Sequence, residues 1–183
     1  QLDADRWELQ DEVSINCDGV RGLLASPDGS SFIVNASATD SLLFYDADFQ
    51  LVDVLPCEFG SFNTIRYSDD GKLLALGYDD GLVEVRASET LSLLSRFSGH
   101  RSSVSDCIFI DDNRMLITAS EQQIRFWDLQ DQLELGALAT DEPVDYLHFC
   151  PQRDSLFTIF GNGSTEVWHT LKTRATPSGE GSK

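Results

Sequence analysis

Three histidines, four cysteines and a large surplus of carboxylates are the residues in this 183-residue sequence that could do chemistry. A structural zinc would need thiolates or imidazoles paired at short spacing. Cys17, Cys57, Cys107 and Cys150 instead fall roughly one per 40 residues, with no C-x-x-C pair and no histidine at ligand spacing, so no metal is expected. Three of the four lie in or beside apolar runs, which reads as buried thiols in a reducing compartment. No nucleophile is set against His100 by spacing, as acyl-transfer chemistry would require. The acidic pairs Asp69-Asp70, Asp79-Asp80 and Asp111-Asp112 sit in turns and lack the alternation and closing glutamate of a calcium loop. The glycine-rich stretch "GNGST" at 161–165 has neither a following helix nor a lysine to cradle a phosphate. No catalytic residue and no cofactor is assigned, and the chain is read as a non-enzyme.

The charge balance narrows the partners. Thirty-one acidic residues against 13 basic ones give a net charge of −18. Phosphate neutralisation needs a Lys/Arg surface, so nucleic acid and anionic membrane are disfavoured, and a basic protein or peptide is compatible. No apolar run approaches the roughly 20 residues that a membrane-spanning helix needs. The first residues, "QLDADRWELQ", lack both an initiator methionine and the basic-then-apolar layout of a secretion signal. A processed chain, or a piece of a longer one, is the expectation, placed in the cytoplasm and/or nucleus.

The elements that position these residues repeat. Tyr45, Arg86, Trp127 and Trp168 are each 41 residues apart, and each ends an alternating segment: "SLLFYDA", "GLVEVRA", "QQIRFWDL" and "STEVWHT". A second anchor keeps the same period, with Val20, Phe62, Val104 and Val144 spaced by 42, 42 and 40. After each anchor come an apolar run, a turn rich in Asp, Asn, Gly or Pro, and a second apolar run. A further strand precedes each unit: "WELQDEVSI", "QLVDVLPCEF", "LSLLSRF" and "QLELGAL". Four short strands per roughly 40 residues, with no helical periodicity, predict an all-β fold built as propeller blades of four antiparallel strands.

The segment at 98–129, "SGHRSSVSDCIFIDDNRMLITASEQQIRFWDL", resembles a WD repeat, with Gly99-His100 at its start and Trp127-Asp128 at its end. The other three units are eroded versions of it: Tyr45-Asp46, Arg86-Ala87 and Trp168-His169 stand where Trp-Asp would be. The resemblance covers about residues 6–171 and divides them into repeats at about 6–47, 48–88, 89–130 and 131–171, followed by a flexible polar tail at 172–183. It implies a ring of four-stranded blades and a non-catalytic scaffold that docks proteins within a multiprotein complex. It also implies that Trp127, His100 and Thr118 are structural, forming three members of a hydrogen-bonded chain. The fourth member, an Asp, would fall near Glu121, where "SEQQ" has none. Asp128 and Trp168 are carried over as structural too.

In this family, contacts use residues flanking the start of the innermost strand and one beside the turn between the second and third strands. Carried over, that set includes Arg21, Asn63, Asp79, Ser103, Ser105, Ser120 and Asp145. With a single cation it does not suit phosphopeptide reading, which needs several arginines. Four units are few for this family. The last one ends without an outer strand, and residues 7–15 are a candidate to supply it. An incomplete propeller is therefore expected, completed by more of a longer chain or by a partner, with a self-closed ring as the second option. An architectural role, completing a larger propeller through strand-edge pairing, is the alternative function.

Overall fold

A computed structural model describes residues 19–58 and 60–169. The proposed outer strand at 7–15, Cys17 and the tail at 172–183 lie outside the described residues. Among the described residues fifteen strands follow one another: β1 Val20–Ala25, β2 Ser31–Ala36, β3 Ser41–Asp46, β4 Leu51–Pro56, β5 Phe62–Tyr67, β6 Leu73–Tyr78, β7 Leu82–Ala87 and β8 Leu93–Ser98 open the series. It continues with β9 Val104–Ile110, β10 Met115–Ser120, β11 Gln123–Asp128, β12 Leu133–Ala139, β13 Val144–Cys150, β14 Ser155–Phe160 and β15 Thr165–His169. They form four antiparallel meanders in chain order, β1–β4, β5–β8, β9–β12 and the three-stranded β13–β15. The architecture is the all-β array of blades that the repeats predict.

One feature of the sequence period is shifted. The apolar strand that precedes each unit closes the sheet before it: β4 pairs with β3, β8 with β7 and β12 with β11. The cause is connection length. The residues between β3 and β4 form a tight turn around Asp46, whose Oδ1 accepts from the N–H of Asp48 and Gln50 at 3.0 and 2.8 Å. Such a short connection forces adjacent antiparallel pairing.

The turns between first and second strands show the repeat at atomic detail. Ser26 Oγ donates to Asp28 at 2.7 Å and accepts from Ser31 N–H at 3.0 Å, and Gly29 takes φ 72°. Forty-two residues on, Ser68 Oγ donates to Asp70 at 2.7 Å and accepts from Leu73 N–H at 2.9 Å, with Gly71 also at 72°. The third sheet reaches the same reversal with three consecutive left-handed residues, Asp111, Asp112 and Asn113, all of types that tolerate that region. The fourth uses a single 3-10 turn, Pro151–Arg153.

Each sheet has a forward face and a rear face, and the core lies between sheets. Ile33, Leu42 and Phe44 of the first sheet pack on Phe62, Leu74, Leu76 and Tyr78 of the second. Ala75, Val83, Val85 and Phe97 of the second pack on Val104, Cys107, Phe109, Leu116 and Trp127 of the third. Ile117, Ala119 and Ile124 of the third pack on Val144, Leu147, Leu156 and Phe160 of the fourth. Of the cysteines expected to be buried, Cys107 is, and burial pushes its thiol up to about 12; Cys57 and Cys150 are half-buried.

Polar side chains sew the same junctions. Asn35 Nδ2 donates to the Phe62 carbonyl at 3.1 Å, Asn63 Nδ2 to Val104 at 2.8 Å, and Ser105 Oγ to Val144. Asp106, buried in β9, ties three sheets at once. Its Oδ1 accepts from the Arg66 guanidinium of the second sheet at 2.7 Å, and its Oδ2 from the Leu147 N–H of the fourth at 2.9 Å. Replacing it strands a backbone donor and a half-exposed cation together. Asp106→Ala is expected to cost about 3 kcal/mol, read from urea unfolding midpoints; a loss below about 1 kcal/mol would remove Asp106 from this role.

Candidate functional site

The register gathers the turns between second and third strands and the links between sheets at one end of the array. Val20 pairs with Ala36, Ala36 with Ser41, and Ser41 with Pro56, so the β2–β3 turn and the link from β4 to β5 share an end. Phe62, Tyr78, Leu82 and Ser98 mark the same end of the second sheet. Exposed there are the carboxylates of Asp40, Glu58, Asp79, Asp80, Glu121, Asp141, Glu142 and Asp145, against the guanidiniums of Arg21 and Arg101. Short bonds hold these loops in place. Ser61 Oγ donates across the first junction to Asp40 at 2.9 Å, and Ser61 N–H donates to Asp79 at 3.1 Å. Gly81 takes φ 89°, and a Cβ there would stand 2.7 Å from the His100 carbonyl, so only glycine lets the second and third sheets' loops approach this closely.

Beneath this end, the third sheet is pinned by a buried chain. Trp127 Nε1–H donates to Thr118 Oγ1 at 2.8 Å, Thr118 lies 2.7 Å from His100 Nε2, and His100 Nδ1 lies 2.8 Å from Ser120 Oγ. In one proton arrangement Thr118 donates to Nε2 and Nδ1–H donates to Ser120, which gives both ring nitrogens and the indole a partner. The imidazole must be neutral for this. Burial first, and then the charge of Arg125, push it down to about 4. Phe97 of the second sheet stacks on Trp127 with ring centroids 4.9 Å apart, carrying the chain into the next junction. The three members expected as structural are brought together, and the fourth is Ser120 in place of an Asp near Glu121. The signal was present: Thr118 and Ser120 are two apart on a strand, so both face His100.

The eroded units answer the same position differently. In the fourth sheet Trp168 Nε1 donates to Thr158 Oγ1 at 3.2 Å, a Trp–Thr pair like that of the third. In the second sheet Arg86 occupies the tryptophan position, and the buried partner is Glu84. The Glu84 carboxylate accepts from Tyr78 at 2.9 Å, from Arg86 Nε at 2.9 Å, and from Arg96 at 3.0 and 2.6 Å. Burial alone would raise the Glu84 carboxyl; bonds from Arg96, Tyr78 and Arg86 outweigh it and hold the group below its ordinary value. In the first sheet Tyr45 stacks on Phe32 with centroids 5.0 Å apart. The Asp that follows the aromatic acts on the next turn instead. Asp128 Oδ1 accepts from the N–H of Gln130 and Asp131 at 2.9 and 2.8 Å, capping the turn into β12 as Asp46 caps the turn into β4.

Of the candidate contact residues, Arg21, Asn63, Asp79 and Asp145 are exposed at the carboxylate-rich end. Arg21 reaches Asp40 across 3.8 Å, and Ser103 is half-buried. Asn63 and Ser105 are occupied by the cross-sheet bonds already described. Ser120 is 2% exposed and committed to His100, so it belongs to the fold and not to the surface. Sequence spacing could not separate these roles, because a residue beside the first inner position can turn outward or across to the next sheet.

Residues 91–128 match the family described as "WD domain, G-beta repeat". The sequence is 29% identical over 116 residues to the UBP9-binding protein bun62 of Schizosaccharomyces pombe, covering 60% of this chain and 21% of that one. It is 32% identical over 108 residues to the U3 small nucleolar RNA-associated protein 15 homolog of Xenopus laevis, covering 58% of this chain and 20% of that one. Among solved structures, the WD40 repeats of RRP9 superpose with a TM-score of 0.70 at 21% identity, over 82% of this chain and 51% of that one. The chain thus spans about a fifth of the length of these curated relatives and about half of the solved chain.

Two outcomes follow from the buried chain. Trp127→Ala is expected to cost about 3–5 kcal/mol, as for other large buried aromatics, and to lower folded yield; a fully stable variant would contradict a structural Trp127. His100 is held at about 4 in the fold against 6.5 unfolded. Its contribution is complete above pH 6.5 and is lost as the unfolded chain takes up a proton on the way down to pH 4, on the order of 3 kcal/mol. The stability difference between wild type and His100→Asn should therefore shrink between pH 7 and pH 4 in urea titrations, and a constant difference would contradict the neutral imidazole.

Proposed function

We propose that this chain, a member of the WD-repeat β-propeller family, is a docking scaffold whose carboxylate-rich end receives a basic protein or peptide within a multiprotein assembly. The family as a whole mediates protein–protein contacts in complexes and is generally non-catalytic. The observation that carries the reading is the end face itself: eight exposed carboxylates against two guanidiniums, presented on loops fixed by Ser61, Asp40 and Gly81. A rigid frame with exposed loops can change its specificity without disturbing its core. Complementary charge at such a rim speeds encounter and selects partners more than it adds affinity. The members of the expected contact set that remain accessible are Arg21, Asn63, Asp79, Ser103 and Asp145, with the exposed Asp40 beside them.

The relatives' names, binding to UBP9 in one and association with a small nucleolar RNA in another, support membership of a complex and favour the nucleus. A second reading, an architectural piece of a larger propeller, is favoured by the fourth sheet, which has three strands among the described residues. The test neutralises Asp40, Asp79 and Asp145 to asparagine together. Partners recovered by cross-linking and mass spectrometry with the wild-type chain should be basic, should weaken with added salt, and should bind the variant about tenfold less tightly, about 0.5 kcal/mol per rim charge. The unfolding midpoint should hold, because asparagine at positions 40 and 79 keeps the side-chain oxygen that accepts from Ser61. Equal recovery by the neutralised chain would overturn the docking reading and leave the architectural one.

A further inference from the structure

We infer that the groove between the second and third sheets, at the end opposite the carboxylate-rich loops, takes an extended peptide segment in which a large apolar side chain stands beside a lysine or arginine. The site is separate from the carboxylate-rich end and does not rest on docking there. Both of its walls belong to internal sheets, so their shape does not depend on what precedes the first sheet or follows the fourth.

The groove begins at a bulge. Each outer strand skips one residue in its pairing with the strand inside it: Val52 between Leu51 and Asp53, Leu94 between Leu93 and Ser95, and Leu135 between Glu134 and Gly136. A bulge re-aims its side chain out of the regular alternation of the strand. All three skipped residues are apolar and exposed, at 61%, 45% and 51%. At the second sheet, Leu94 lines a groove of about 580 Å³ whose other side is the third sheet, a volume within the range of ligand clefts. The floor is the place where the core of that junction runs out: Leu73 and Leu129 pack against its buried residues and stay half-buried themselves. The groove is open to solvent along one side, which suits an extended chain.

The far wall is the turn between β9 and β10. Its backbone is fixed, since Arg114 N–H donates to the Asp111 carbonyl and Leu129 N–H to the Arg114 carbonyl, each at 2.9 Å. Its acids are not used by the fold. Asp112 stands where Asp28 and Asp70 stand in the first two sheets, but Ile110 replaces the serine that donates to those acids. Asp111 and Asp112 are exposed, and among the described residues neither carboxylate has a hydrogen bond or an ion pair. Arg114, the cation on this wall, turns to Asp128 at 3.9 Å. In the groove at the same end between the first and second sheets, by contrast, Asp28 and Asp70 are held by serines of their own turns, and Lys72 lies 3.4 Å from Asp70. An apolar floor beside two unanswered carboxylates is complementary to an apolar anchor with a basic neighbour, the anchor supplying affinity and the charge supplying selection.

The test selects random heptapeptides displayed on phage against the full chain. Enriched sequences should join Leu, Ile, Met or Phe to a nearby Lys or Arg. A fluorescein-labelled synthetic copy of the most enriched one should bind Leu94→Asp about tenfold less tightly. It should bind the chain carrying Asp111→Asn and Asp112→Asn about threefold less tightly, and added salt should weaken it on the wild type. Both variants change exposed positions, and their urea midpoints should match the wild type. A coupling cycle keeps the test independent of folding: replacing the peptide's basic residue by methionine should cost about threefold on the wild type and nothing on the Asp111→Asn, Asp112→Asn chain. No enrichment over an unrelated protein, enriched sequences lacking a basic residue, or affinity unchanged by Leu94→Asp would overturn the inference. Peptides that keep their affinity for Leu94→Asp but lose it when Asp40, Asp79 and Asp145 are neutralised would overturn it while supporting the docking reading.

Discussion

A four-stranded sheet with two apolar faces cannot cover either of them with its own short turns, and that constraint governs this chain. Each described sheet gives its forward face to the next and takes the previous one on its rear face, so stability resides in the junctions and not in the blades. The polar bonds follow the same logic. Asn35, Asn63, Ser105, Arg66 and Asp106 all reach from one sheet to another. A blade deprived of a neighbour would lose apolar cover and leave carbonyls and N–H groups without partners.

The position beneath the carboxylate-rich end shows how loosely a repeat constrains chemistry when the geometry is kept. Thr118, His100, Ser120 and Trp127 satisfy it with a neutral hydrogen-bonded chain. Glu84 with Arg86, Arg96 and Tyr78 satisfies it with buried charge. Tyr45 and Phe32 satisfy it with stacked rings. Buried ionic groups repay their desolvation only when every lone pair is answered, and Glu84 meets that condition with two guanidiniums and a phenol. The tryptophan signature is one solution among several. What persists is a side chain on the third strand that braces the second strand or the loop above it.

The strands were legible because two anchors kept one period: the spacing of Tyr45, Arg86, Trp127 and Trp168, and that of Val20, Phe62, Val104 and Val144, locate every sheet. The three structural residues His100, Thr118 and Trp127 were legible through resemblance to the one well-kept repeat. The direction in which side chains beside the innermost strand point was less so. Asn63 and Ser105 cross to the next sheet while Arg21 and Asp145 do not, and the difference depends on a neighbour some 40 residues away. Ser120, expected among the contact residues, serves the fold: the resemblance implies an acid in the turn, whereas a hydroxyl one residue earlier, on the strand, reaches the imidazole nitrogen.

Shifted proton affinities often mark sites of chemistry, and here they mark the interior. His100 is lowered by burial and by Arg125; Glu84 is held low by its donors; Tyr78 is raised by burial and then by Glu84; Cys107 is raised by burial. Each lies inside a sheet junction. A general base needs reach to a substrate proton as well as a tuned pKa, and an imidazole that is 7% exposed, with both nitrogens engaged, has no such reach. The exposed groups held low, Asp28 by Ser26 and Asp70 by Ser68, are turn caps at the opposite end of the sheets. The unusual electrostatics of this chain are therefore consumed in making the frame rigid.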